Sequence, residues 1–74
     1  MYRYITFGQV HRHEVGGKFF DKDCIARVGG ESIDEVYANV RDSFGVTYAT
    51  SYSWEDLQNI ITLFPRGVIP LKEK

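Results

Sequence analysis

FGQVHRHEVGGKFFDKDC, residues 7–24, decides how the first half of this chain folds. Upstream and downstream of it lie aromatic and β-branched residues, so 2–15 and 18–28 read as two strands. Gly16-Gly17 between them can take the positive φ angles of a tight turn. With a two-residue turn Val15 faces Lys18, His13 faces Phe20, His11 faces Lys22, Gln9 faces Cys24, Phe7 faces Ala26 and Ile5 faces Val28. Ile5, Phe7, Cys24, Ala26 and Val28 then share one coherent apolar face, and Arg12 meets Asp21 on the other. A three-residue turn would pair His11 with Asp21 and Gln9 with Asp23 instead. The coherent apolar face makes the two-residue turn the preferred register.

Outward from the hairpin, Gly29-Gly30 ends the second strand. SIDE, residues 32–35, has the capping-box form in which Ser32 caps a helix and Glu35 reaches back. Ile33, Val36, Tyr37, Val40 and Phe44 follow at helical spacing, and Gly45 stands where a helix ends. Val46 to Ser53 alternate as a third strand. Ser53 and Asp56 signal a second cap, and Trp54, Leu57, Ile60, Ile61 and Phe64 form a second helical stripe that Pro65 stops. VIPL, residues 68–71, suits an edge strand, because Pro70 cannot donate to a central ladder. The expected fold is α+β, in the order β-β-α-β-α with a last short β. A small antiparallel sheet would carry both helices on one face. Trp54, Leu57, Ile61, Val36, Tyr37 and Val40 are the expected core.

The totals bound the function. Seventy-four residues make one domain, near the size at which a core becomes marginal. Aromatics at 15 % offset that, since each buries a large area. One cysteine, Cys24, excludes a disulfide within the chain. No apolar run is long enough to span a bilayer, and MYRYITFG lacks a signal peptide's apolar centre. The expected setting is therefore reduced, intracellular and cytoplasmic, with no membrane partner. A net charge of −1 makes direct nucleic-acid binding an unfavoured expectation. The charges are segregated: Glu31, Asp34, Glu35, Asp42, Glu55 and Asp56 face only Arg41 within residues 31–56.

Several polar residues are candidates for binding: Gln9, His11, His13, Asp21, Asp23, Tyr48, Tyr52, Asp34, Glu35 and Asp42. Two histidines one residue apart on a strand project the same way, which suits zinc. Cys24 or an aspartate would have to add the third ligand, so His11, His13 and Cys24 form an incomplete set, and the expectation is no bound cofactor with zinc as the alternative. The imidazoles are expected instead to offer hydrogen bonds at an exposed end of the hairpin, so that replacing either would leave folding intact. Tyr2, Tyr4, Tyr48 and Tyr52 alternate on strands and suggest an exposed tyrosine-bearing sheet face, a feature that would favour a homodimer. The acidic helices could meet a basic protein surface.

FGQVHRH, GGKFFDKDCIARV and FPRGVI together resemble a type of short bacteriophage and prophage open reading frame. Its pattern is FGQ-x-H-x-H, a glycine turn, a D-x-D-C strand and a closing FPRG. The resemblance covers both ends of the chain and leaves the middle helix unmatched. The positions carried over are Phe7, Gly8, Gln9, His11, His13, Asp21, Asp23, Cys24, Phe64, Pro65, Arg66 and Gly67. It implies a phage context and no particular chemistry. Seventy-four residues leave little room for a buried catalytic cleft but can present one interface of about 800 Å². The expectation is a phage accessory protein that binds and inhibits a host or antiviral-defence component. A metal-assisted hydrolase or nuclease centred on His11 and His13, and a binder of a nucleotide or small signal molecule, are the alternatives.

Overall fold

Gly16 and Gly17 take φ of 59° and 78° in the computed structural model, which describes residues 1–71. Positive φ at both central residues makes a two-residue hairpin turn whose twist suits the strands it joins. Strand β2 (His13–Val15) therefore meets β3 (Lys18–Phe20) with Val15 facing Lys18 and His13 facing Phe20, the expected register.

The hairpin does not continue as one ribbon. Strands β1 (Tyr2–Thr6) and β4 (Cys24–Gly29) pair so that Ile5 faces Ala26 and Arg3 faces Val28. From Ile5 to His13 is eight residues, whereas from Phe20 to Ala26 is six, so the first arm carries two extra. They are thrown out in a loop over residues 7–12 that opens at Gly8, φ 64°. An L side chain at that φ would be strained. Because the offset is even, the residues paired in the two ladders keep their expected faces, while the loop residues between them do not. The sequence reading of one continuous 14-residue strand is corrected here, and the expected Ile5–Val28 pair becomes Ile5–Ala26.

Helix α1 (Ile33–Phe44) begins at the expected cap, with Ser32 Oγ accepting from the Glu35 N–H at 3.2 Å, while Glu35 Oε1 reaches back to the Glu31 N–H at 3.3 Å, one residue before the cap. Thr50–Tyr52 forms β5, Trp54–Leu57 forms α2, Ile61–Leu63 a 3₁₀ turn, and Gly67–Pro70 forms β6. The main sheet runs β5-β1-β4-β6, with β2-β3 as a separate two-stranded sheet. The class is α+β, as the sequence indicated. β6 lies parallel to β4 at the edge, so the sheet is mixed rather than purely antiparallel, and Pro70 sits where a missing donor costs least.

The helices occupy opposite faces. Ile5, Ala26 and Val28 pack with Val40 and Phe44 of α1, while Tyr4 and Ile25 pack with Leu57 of α2. Adjacent strand residues point to opposite faces, so this division corrects the expectation of both helices on one side. The cause is visible in β4: Cys24, Ile25 and Ala26 are all fully buried, and a strand apolar on both faces needs a cover on each. Polar ties hold α1 in place. Asn39 donates to the Gly29 carbonyl at 2.8 Å, and the Tyr37 hydroxyl lies 3.3 Å from Ser51 Oγ, which also accepts from Arg3 at 2.9 Å.

Two other expectations change. The second helix stops at Leu57, because Ile60, Leu63 and Phe64 bond three residues back rather than four. Trp54, expected in the core, is 52 % exposed and lies tilted against Tyr4, ring centroids 5.4 Å apart. The third strand is shorter than 46–53. Gly45 and Val46 form a turn closed by the Thr47 N–H to the Phe44 carbonyl at 3.2 Å, and Tyr48 follows it outside the strand. Tyr48 consequently packs on the α1 side and Tyr52 on the α2 side, and Tyr4 is buried. The four tyrosines do not make one exposed face.

Candidate functional site

The chemically suggestive residues gather around the base of the β2–β3 hairpin, where the 7–12 loop, the 21–23 turn and the Phe64–Gly67 segment meet. Most of them are engaged in holding that junction. His13 is half-buried, its ring 5.1 Å from Phe44 and 5.8 Å from Phe7. Its Nε2 lies 2.7 Å from the Thr47 carbonyl and 3.0 Å from Thr47 Oγ1. The Thr47 hydroxyl donates to the Phe44 carbonyl at 2.8 Å, so both Thr47 oxygens are placed to accept, and Nε2 carries the proton. His13 thus fastens the hairpin to the end of α1. This corrects the reading of His13 as an exposed hydrogen-bonding group.

Cys24 is fully buried among Ile5, Phe7, Phe20 and Ala26. Burial pushes its thiol above the ordinary value of 9.0, outweighing the hydrogen bond that the Asp21 N–H donates to the sulfur at 3.4 Å. A protonated, enclosed thiol is a small hydrophobe rather than a nucleophile or a ready metal ligand. The folded pKa is the higher one, so the neutral thiol's contribution to stability is whole below pH 9.0 and is lost as pH climbs toward that raised value. At pH 8, native protein should alkylate with iodoacetamide about tenfold or more slowly than the same chain in urea. Equal rates measured by mass spectrometry would contradict the enclosure.

Asp21, Asp23 and Arg66 make a second fastening. Asp21 Oδ1 accepts from the Asp23 N–H at 2.9 Å, a turn closed by the aspartate itself, and from Arg66 Nη1 at 3.3 Å. Arg66 Nη2 donates to the Phe19 carbonyl at 2.8 Å, and the Arg66 N–H to the Asp23 carbonyl at 2.9 Å. The DKDC and FPRG segments, remote in sequence, are therefore one structural unit. Among the described residues the ion-pair partner of Asp21 is Arg66, not the expected Arg12. Asp23 pairs at the surface with Lys22, 3.2 Å away.

Beside this junction is an open cleft of about 190 Å³ lined by Gln9, His11, Arg12, Phe19, Asp21 and Lys22. His11 belongs to this cleft, whereas His13 and Cys24 belong to the core side of the hairpin. The ligand set His11, His13 and Cys24 is divided accordingly. Among the described residues, no group of three or more histidine, cysteine, aspartate and glutamate side chains could hold a metal ion. Of the acidic candidates, Glu35 serves as a helix cap, while Asp34 and Asp42 are exposed. Sequence reasoning did not single out Arg12, Phe19, Lys22 or Arg66 as cleft or clamp residues; the positive-φ glycine at position 8, which turns the strand into a loop, was the available signal.

Compared with protein-family models, with curated proteins and with solved structures, the chain shows no significant match.

Proposed function

We propose that this chain is a small phage-type accessory protein that acts in the bacterial cytoplasm by stoichiometric binding, occupying a surface of a host or defence protein. One observation carries the reading. Val10 is 81 % exposed at the crest of the 7–12 loop, between the cleft residues Gln9 and His11, and Phe19 on the neighbouring arm is 46 % exposed. Beneath them Phe7 and Phe20 are fully buried, and Arg66 clamps the Phe19 carbonyl. Large apolar groups held out on a braced support suit an interface, where a few well-placed anchors carry most of the binding free energy. His13, Cys24 and Asp21, the residues with the most reactive chemistry, are meanwhile committed to structure.

The test uses the chain and its Val10→Asp/Phe19→Asp double variant as parallel baits in lysate of the bacterial host. The partner retained by the parent is then purified and titrated against both. The expected result is one-to-one binding by the parent, lost in the variant, with both proteins melting alike. Equal retention by parent and variant would move the interface elsewhere. No stoichiometric partner for the parent would remove the proposal.

A further inference from the structure

The cleft beside the apolar crest combines features that a protein interface does not require. Arg12 and Lys22 line it, and Arg66 stands at its edge through Asp21. These three cations meet two carboxylates, Asp21 and Asp23, in a chain whose overall charge is −1. The Asp21 carboxylate is further occupied by the Asp23 N–H and by Arg66, so it opposes the remaining cations weakly. Gln9 and His11 add neutral hydrogen-bonding groups to the same wall. The aromatic ring of Phe19, half open to solvent, borders the cleft with the Arg66 guanidinium 5.9 Å from its centroid. An exposed ring flanked by cations accepts a flat aromatic group, and arginine and lysine donors accept phosphate oxygens. The locally positive charge also opposes any carboxylate-lined metal reading of the same residues.

We infer that this cleft is a binding site for a nucleoside monophosphate, with the base against Phe19 and the phosphate held by Arg12 and Lys22. The inference shares Phe19 with the protein-binding proposal but is carried by the cationic lining of the cleft and is tested without any protein partner. Arg12 supplies two or more N–H donors in a fixed fork, and Lys22 a point charge that can exchange Asp23 for the phosphate. Both contacts are needed, because the cleft is open and neither group alone is enclosed.

The experiment follows amide shifts of the ¹⁵N-labelled 74-residue chain during titration with adenosine monophosphate, adenosine and inorganic phosphate. The expected result is saturable shifts centred on Gln9, His11, Arg12, Phe19 and Lys22. Adenosine monophosphate should bind about tenfold or more tightly than either fragment, and more weakly as salt is raised. Arg12→Ala and Phe19→Ala, both surface truncations, should each weaken it by about tenfold while the melting temperature holds. Adenosine binding as well as its monophosphate would deny the phosphate contact. Inorganic phosphate binding as well as the nucleotide would deny the base contact. Either outcome, or shifts that never saturate, overturns the inference.

Discussion

Phe7→Ala should destabilise the protein by about 3–5 kcal/mol. Phe7 is fully buried at the point where β1 gives way to the loop, and its ring meets three others: Phe44 at 4.9 Å edge-on, Phe20 at 5.7 Å and His13 at 5.8 Å. Those partners come from β3, from the end of α1 and from β2, so one side chain joins the small hairpin to the main core. An edge-to-face aromatic pair adds about 0.5–1.5 kcal/mol beyond area burial, and truncation forfeits the one with Phe44 together with two tilted ring contacts. A chain of this length has a total stability of roughly 4–11 kcal/mol, so the variant should lose a large part of it. The melting temperature, followed by circular dichroism, should fall by about 15 °C or more. A fall of only a few degrees would mean that the hairpin does not depend on this ring.

The second large effect is expected on the opposite face. Leu57→Ala should cost about 2–5 kcal/mol. Helix α2 is four residues long, too short to persist without tertiary contact. Leu57 is its one buried residue, fully enclosed with Tyr4 and Ile25 and flanked by Tyr52, Ile60, Ile61, Phe64 and Val68. Its loss should free the segment from the sheet. Trp54, three residues earlier and resting on Tyr4, gives the readout: its fluorescence should shift toward that of a solvated indole at temperatures where far-ultraviolet dichroism still reports a folded chain. A variant with unchanged melting and unchanged tryptophan emission would show that α2 is not held by Leu57.

Much of this fold was legible in the residues. The cap at Ser32, the stripe of Val36, Val40 and Phe44, and the Gly16-Gly17 turn all formed as their chemistry demands, since each rests on local backbone hydrogen bonding and spacing. What lay beyond reading was where local signals compete. A strand of 14 residues and one of 11 look continuous until Gly8 admits a positive φ and two residues leave the ladder. Apolar spacing over 54–64 is shared by an α-helix and by 3₁₀ winding, and only the three-residue bonds near Pro65 separate them. The Cys24-Ile25-Ala26 run, apolar on both faces of its strand, was a signal against a single-faced sheet that the reading of one apolar face passed over. The candidate site was half legible. Gln9, His11 and Asp21 meet in one cleft while His13 and Cys24 lie on the core side, and the roles of His13 and Asp21 depend on Thr47 and Arg66, which lie 34 and 45 residues away from them.

The polar motif divides by role, with His13 a fastening of the fold and His11 a group of the open cleft. Equilibrium urea denaturation of His13→Ala beside His11→Ala tests this division most directly. His13→Ala removes a hydrogen bond to Thr47 and two aromatic contacts, and should lower stability by about 1–3 kcal/mol. His11→Ala, in the open cleft, should change it by about 0.5 kcal/mol or less. Equal and small losses in both variants would mean that His13 fastens nothing and belongs to the surface with His11.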